Sequence, residues 1–197
     1  YNVYLYISPF QALMATALAG YGDSPEAELP MRWTVDYLIN RVLPVWRQVM
    51  GDNGGWHEGG EYVGIGIGQA IYQLPAMWRN ATGEDLFKTE AGIRGFLDFL
   101  IYRTRPDGTH MRWGDAGHFD NRVPDRIPLA IEYSHAAAYS LNRHGCPKPF
   151  EPTSWPWGPL STDELCDSQA YKNLPLQQHF DGIGMVIARS SWDKDAT

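Results

Sequence analysis

The residues best suited to proton chemistry lie in one short segment, 56–62, which reads WHEGGEY. Side chains that accept or donate protons make up most of it, namely His57, Glu58, Glu61 and Tyr62. Groups of these types act as general acids and bases when their surroundings tune their pKa values. The glycines between them allow the main chain to approach a ligand closely. A plainer interpretation is a helix start at which Glu61 complements the helix dipole.

A second polar segment, 105–126, is predicted to be a long loop. Its side chains include His110, Arg112, Trp113, Asp115, His118, Asp120, Asn121, Arg122 and Arg126. Arginine forms bidentate hydrogen bonds with carboxylates, and loops of this length are often functional. A solvated connection is the alternative. The spacing of Asp115, His118 and Asp120 is common by chance, so we predict no metal site here.

The composition restricts the class of protein that can hold these segments. The chain has 197 residues, 44% of them hydrophobic, and a net charge of 16 − 23 = −7. These values exclude a disordered chain, and no apolar run reaches the roughly 18 residues of a membrane helix. The acidic balance argues against a nucleic-acid partner. Eight Trp and 11 Tyr either fill a core or line a groove that stacks against sugars.

Apolar residues at helical spacing predict the elements that must position the two segments. The predicted helices cover 10–19, 30–50, 63–79, 84–103 and 127–142, and a strand is predicted at 185–188. Pro44 and Pro75 are expected to interrupt their helices. His135 is interpreted as a satisfied core histidine. The cysteines, Cys146 and Cys166, could pair in an oxidising compartment, although their spacing alone does not show it.

The helix–loop–helix units recur at roughly 50-residue spacing, which indicates hairpins arranged in an array or toroid. The predicted fold is therefore mainly α, with helical hairpins of an incomplete (α/α) toroid followed by the first strand or strands of an antiparallel β domain. We assign 1–144 to the toroid portion, 145–178 to a linker or irregular segment, and 179–197 to the start of a truncated β domain. One strand is not stable alone, so the chain is expected to belong to a longer one.

Three motifs occur along the chain in a fixed order. They are EGGEY at 58–62, PDG with GD at 106–108 and 114–115, and DG with RSSWD at 181–182 and 189–193. Together they resemble the EGxxY, PDG…GD and DG…RSxWD elements of the heparinase II/III-like superfamily of polysaccharide lyases, which includes alginate lyases. The resemblance covers nearly the whole chain.

The resemblance implies an (α/α) toroid followed by an antiparallel β-sandwich that cleaves a uronic-acid-containing polysaccharide by β-elimination. It makes Tyr62 the general base, the general acid or both. The chemistry of such a reaction then gives His57 an assisting role in proton transfer and Glu58 the role of orienting it. The residues assigned to substrate binding are Asn2, Trp56, Arg112, Trp113, Asp115, His118 and Arg122. Asn2 stands for a family asparagine that is often followed by histidine, whereas Val3 follows it here.

The resemblance also sets the expected surroundings of the protein. The expected partner is an acidic polysaccharide or oligosaccharide, and the expected location is the periplasm or the cell exterior. No cofactor is expected within this chain, and a divalent metal would belong to the remainder of the β domain.

Two alternatives remain open on the sequence. One is a toroid glycoside hydrolase, for which acids are available at Glu58, Glu61, Asp115 and Asp120. Hydrolysis needs two carboxyl groups at a suitable separation and does not need Tyr62. The other alternative is a carbohydrate-binding protein without catalysis, which needs the aromatic side chains but not the tyrosine hydroxyl.

Overall fold

The computed structural model describes residues 25–114, 126–140, 165–167, 169–193 and 195–196. Within them the protein is mainly helical, with a small two-stranded antiparallel sheet near the C-terminus. None of the described helices is long and apolar enough to cross a membrane. The predicted helix at 10–19 lies outside the described residues.

The predicted helix 30–50 is longer than expected and contains one irregular turn. It consists of α1 (Pro25–Tyr37), a π-helical turn (Leu38–Val42) and α2 (Leu43–Met50). Pro44 lies at the start of α2, directly after the π-helical turn. Proline lacks an N–H, and its ring clashes with the carbonyl four residues earlier in a regular α-helix. The wider turn relieves this conflict, so the irregularity predicted at Pro44 takes the form of a π turn.

The next helix begins earlier than predicted, so it includes Tyr62. It consists of α3 (Gly60–Tyr62), a second π-helical turn (Val63–Ile67) and α4 (Gly68–Thr82). The expected interruption at Pro75 was wrong, because α4 continues through this buried proline. Gly83, with φ of +79°, ends α4 and donates its N–H to the carbonyl of Arg79 at 2.9 Å.

The predicted helix 84–103 is divided at one buried residue. It forms α5 (Leu86–Thr89) and α6 (Ala91–Tyr102). Between them Glu90 has an extended backbone, with φ of −107° and ψ of +91°. Its buried carboxylate accepts two hydrogen bonds from the guanidinium of Arg47 on α2, at 2.6 and 2.8 Å. The break therefore carries the ion pair that joins α2 to the start of α6.

The predicted helix 127–142 is also divided. It forms α7 (Ile127–Glu132) and α8 (Ala136–Ser140), separated at Ser134, whose φ is +49°. His135 is buried, as predicted, and both ring nitrogens have partners. Its Nδ1 accepts the N–H of Ala138 at 3.1 Å, and its Nε2 lies 3.2 Å from Oδ1 of Asp98. Because an amide N–H can only donate, Nδ1 is the unprotonated nitrogen and Nε2 carries the proton.

The predicted strand at 185–188 is confirmed, and it has a partner. A 3-10 helix (Ala170–Asn173) precedes β1 (Gln177–Phe180), which pairs antiparallel with β2 (Met185–Ala188) through a 3-10 turn (Asp181–Ile183). We call this last element the hairpin turn. β1 begins at the end of the stretch that was predicted to be a linker. Cys166, in that stretch, is disulfide-bonded, whereas Cys146 lies outside the described residues.

The β-hairpin packs directly on α6. Phe180 is buried, and its ring makes edge contacts with Phe99 at 5.2 Å and Tyr102 at 6.1 Å. After β2, the guanidinium of Arg189 lies 3.8 Å from the ring of Trp192 and donates to the carbonyl of Tyr102 at 2.9 Å. The RSSWD motif therefore ties the hairpin to the C-terminal end of α6. A domain boundary at 179 stays a prediction.

Candidate functional site

Residues 51–58 form the loop that leads to Tyr62. This loop packs so closely against α6 that no side chain would fit at the points of contact. We call it the glycine loop. A methyl group added to Gly92 would lie 2.6 Å from Cβ of Met50 and 2.7 Å from the carbonyl oxygen of Gly51. One added to Gly95 would lie 2.5 Å from the carbonyl oxygen of Asn53 and would overlap Gly54. Main-chain atoms cannot swing away as side chains do, so glycine is required at both positions of α6.

Trp56, at the end of this loop, is inside the core. Its exposed fraction is 0%, and its Nε1 donates to Oε2 of Glu58 at 3.2 Å. The face of a fully buried indole cannot stack on a sugar, so the structure does not give Trp56 the substrate contact assigned to it. Instead, the ring fixes the carboxylate of Glu58. His57 is exposed, and its ring centroid lies 5.3 Å from that of Trp56.

Tyr62 lies in the first turn of α3. Its N–H donates to the carbonyl of Gly59 at 3.1 Å, and its side chain is partly buried. Glu61 occupies the same turn, where a carboxylate favours the positive end of the helix dipole. The helix-start interpretation and the functional interpretation of this segment are therefore compatible.

The second polar segment meets the first at this helix start. We call residues 104–114 the bridge segment. A methyl group on Gly114, whose φ is +53°, would lie 3.0 Å from Cα of Gly59. One residue before the segment, Nη1 of Arg103 makes a long hydrogen bond of 3.5 Å to the carbonyl of Gly60. The structure thus brings together two segments that are about fifty residues apart in the sequence.

Arg103 is the residue that the sequence interpretation missed. Its exposed fraction is 0%, and its guanidinium carbon lies 5.8 Å from the ring of Trp113. Arginine stays charged when buried, so a positive charge is held beside the turn that carries Tyr62. In the sequence it was only the last residue of a predicted helix. No pattern distinguishes it from the chain's surface arginines.

The turn predicted at Asp107 and Gly108 is confirmed, and it folds the bridge segment back. Thr104 and His110 form an antiparallel β-bridge, and Gly108 has φ of +78°. Oδ1 of Asp107 accepts the N–H of Thr109 at 2.8 Å and its hydroxyl at 2.6 Å. The N–H of Met111 donates to the carbonyl of Arg103 at 2.8 Å. These bonds direct the segment toward Gly59.

The remaining candidate residues are only partly covered by the structure. Arg112 is exposed, and Trp113 is partly buried, with its ring edge-on to Phe99 at 5.5 Å. Arg126, a sequence candidate for binding carboxylates, donates from Nε to the carbonyl of Ala138 at 2.6 Å. The candidates that lie outside the described residues are Asn2, Asp115, His118, Asp120, Asn121 and Arg122.

The described part of the site is equipped for proton transfer near a positive charge. A tyrosine and two carboxylates stand at a helix start, with a buried guanidinium behind it and a partly exposed indole at its side. Within the described ranges, no group of three or more His, Cys, Asp or Glu side chains could hold a metal ion. Comparison with models of protein families, with curated proteins and with solved structures found no match to this chain.

Proposed function

We propose that this protein is a polysaccharide lyase that cleaves a uronic-acid-containing polymer by β-elimination, with Tyr62 as the proton-transfer residue. The proposal rests on the order of the three sequence motifs. One structural observation supports it most: the EGGEY and PDG…GD motifs meet at a single helix start, where Gly114 contacts Gly59 and Arg103 reaches Gly60.

The reaction determines what the site must supply. A base removes the proton at C5 of the uronate, a double bond forms between C4 and C5, and the bond from C4 to the linking oxygen breaks. The departing oxygen then takes up a proton. Negative charge builds on the uronate carboxylate during this process, so positive or hydrogen-bonding groups near it lower the barrier.

The proposed roles follow from these requirements. Tyr62 removes the C5 proton, protonates the departing oxygen, or does both, and exposed His57 assists as a proton carrier. Glu58, held by Trp56, orients the groups around it. Arg112 binds the substrate carboxylate, and Trp113 offers its exposed part to a sugar ring.

Four further substrate contacts are proposed from the sequence alone, at Asn2, Asp115, His118 and Arg122. The buried charge of Arg103 is proposed to strengthen the positive potential behind the site, independently of these residues. A local positive potential of this kind attracts an acidic substrate even though the whole chain carries a net charge of −7.

The finer architecture and the location are also proposals. We propose that the helical hairpins belong to an (α/α) toroid, and that the β-hairpin opens a β-sandwich in which a divalent metal would be bound. The disulfide at Cys166 supports a periplasmic or secreted location, because disulfides persist in oxidising compartments.

The test follows ultraviolet absorbance while the intact chain is incubated with a panel of uronate polysaccharides, since only elimination creates a conjugated double bond. Tyr62→Phe is expected to lower kcat by about 100-fold or more, because it removes only the hydroxyl. Tyr171→Phe is the matched control, since this partly buried tyrosine contacts Trp192 in the C-terminal region and is expected to retain full activity.

Other outcomes would contradict the proposal and indicate which alternative replaces it. New reducing ends without rising absorbance, unaffected by Tyr62→Phe, would indicate a hydrolase with paired carboxylates. Binding of the polymers without either signal would indicate a carbohydrate-binding protein.

A further inference from the structure

The third motif, DG, lies in the hairpin turn, which also contacts the glycine loop. Gly182 of the hairpin turn packs against the C-terminal end of α2. A methyl group there would overlap the carbonyl oxygen of Val49 and lie 2.8 Å from the nitrogen of Gly51. Asp181 and Gly182 come about 130 residues later in the sequence than the loop they contact.

Contacts between the hairpin turn and the glycine loop run in both directions. A methyl group on Gly51, whose φ is +54°, would lie 2.7 Å from Cγ of Asp181. One on Gly55, with φ of +113°, would lie 3.1 Å from Cδ1 of Ile183. Nδ2 of Asn53 also donates to Oδ1 of Asp181 at 3.4 Å.

Two elements therefore restrict the loop. α6 approaches it through Gly92 and Gly95, and the hairpin turn approaches it through Gly182 and the side chains of Asp181 and Ile183. A loop in close contact with two other elements has few alternative conformations, which is the condition for a preorganised site. The residues that leave this enclosure are Trp56, His57 and Glu58.

From this arrangement we infer that Asp181 and Gly182 are positioning residues: the hairpin turn holds the glycine loop so that Glu58 and Tyr62 stand in their reactive arrangement. Neither residue is assigned a contact with substrate. The inference rests on the proposed function for the part that concerns the reaction, and on geometry alone for the part that concerns the loop.

The experiment measures amide hydrogen exchange of residues 51–58 in the intact chain, together with kcat and KM for elimination. Gly182→Ala is expected to raise exchange in the glycine loop about tenfold, because the added methyl pushes the hairpin turn away. The same variant is expected to lower kcat by about tenfold or more with KM little changed, because misplaced groups slow the chemical step.

Three companion variants keep the test decisive. Asp181→Ala adds no atoms and removes only the acceptor for Asn53, so it folds without a clash and is expected to raise loop exchange by about threefold. Asp181→Asn keeps an acceptor oxygen and is expected to restore both loop exchange and kcat. Val186→Ala, on the same hairpin at a side chain that is 63% exposed, is the control and is expected to change neither quantity.

The inference is overturned if amide hydrogen exchange in the glycine loop is the same in Gly182→Ala and Asp181→Ala as in the control Val186→Ala. Raised exchange with unchanged kcat would overturn the positioning role. If the unaltered chain eliminates none of the polymers, the proposed function fails. The exchange data then decide by themselves whether the hairpin turn holds the loop.

Discussion

The glycine loop and the bridge segment approach the same helix start, but different forces hold them. The glycine loop touches α6 and the hairpin turn at glycines whose close surroundings admit no side chain. The bridge segment is held by a β-bridge, a turn centred on Asp107, and the approach of Gly114 to Gly59. Steric enclosure fixes a loop rigidly, whereas exposed hydrogen bonds exchange readily with water. We therefore expect the bridge segment to be the part of the site that adjusts when substrate binds.

The largest loss of stability is expected where α6 meets the glycine loop. Gly95→Ala places a methyl group against main chain of the glycine loop and is expected to lower the free energy of unfolding by about 3 kcal/mol. Helix propensity alone would favour alanine at this position, so a loss identifies the steric contact. Urea denaturation of the intact chain measures this loss in the free energy of unfolding.

Gly83→Ala is the control for that variant. Gly83 has φ of +79° and no neighbour within 4 Å of an added methyl group, so its cost of about 1 kcal/mol reflects backbone strain alone. A loss for Gly95→Ala no greater than this would mean that the glycine loop is not enclosed by α6.

The next largest loss of stability is expected at Arg103, which joins the bridge segment to α3. Arg103→Met keeps much of the buried volume but removes the charged hydrogen bond to the carbonyl of Gly60, so we expect a loss of about 2 kcal/mol. Arg105→Met, two residues later and exposed, is expected to change stability by less than about 0.5 kcal/mol. Equal effects of the two variants in urea denaturation would show that Arg103 does not join the bridge segment to α3.

Alkaline pH should loosen the hairpin side of the enclosure. The hydroxyl of Tyr102 donates to the carbonyl of Pro175 at 2.6 Å, and burial, with the charge of Asp98, raises its pKa. A raised pKa in the folded state means that the neutral form is favoured there. The stabilisation that the neutral Tyr102 hydroxyl provides is complete below the pKa of about 10 in the unfolded chain. It is lost as the pH rises through the higher pKa of the folded protein.

Tyr102→Phe tests this dependence. At neutral pH it is expected to cost about 1 kcal/mol for the lost hydrogen bond. Above pH 10 its stability should approach that of the unaltered chain, because only the unaltered chain has the Tyr102 hydroxyl, whose hydrogen bond is lost on deprotonation. A difference that stays constant between neutral and alkaline pH in urea denaturation would refute the assignment.

The smallest loss of stability is expected in the bridge segment. Asp107→Ala removes the acceptor of two exposed hydrogen bonds from Thr109, and we expect a loss of about 0.5 kcal/mol. Asp195→Ala, at an exposed carboxylate near the C-terminus, is the control. A loss for Asp107→Ala comparable with that for Gly95→Ala would remove the contrast between the two regions.

Periodicity in the sequence predicted where the helices lie but not where they break. The break at Glu90 depends on Arg47, 43 residues earlier, and the break at Ser134 is followed by His135, which is paired with Asp98 on α6. Partners that distant leave no signal in a local pattern. The expectation for Pro75 failed for a similar reason: the residues beside it on α4 are buried in the core, and the packing that buries them is not visible in the local sequence.

In the candidate site, too, local features could be predicted from the sequence and features that depend on distant residues could not. The sequence indicated a helix start beside Tyr62 and the turn at Asp107, because both depend on neighbours within a few residues. It did not indicate that Trp56 is buried or that Arg103 stands behind the helix start, because burial is decided by elements from elsewhere in the chain. The sequence indicated that the glycines allow close approach of the main chain. Only the fold shows which element each glycine contacts.

The π-helical turn Val63–Ile67 makes the site sensitive to the length of the chain. Such a turn contains one residue more than the α-helical turn it replaces. Deleting one residue from it would restore a regular helix and rotate Tyr62 by about 100° relative to α4. The direction in which Tyr62 faces is thus set by a count of residues rather than by their types. A graft of this helix into another scaffold would have to transfer all five residues of the turn.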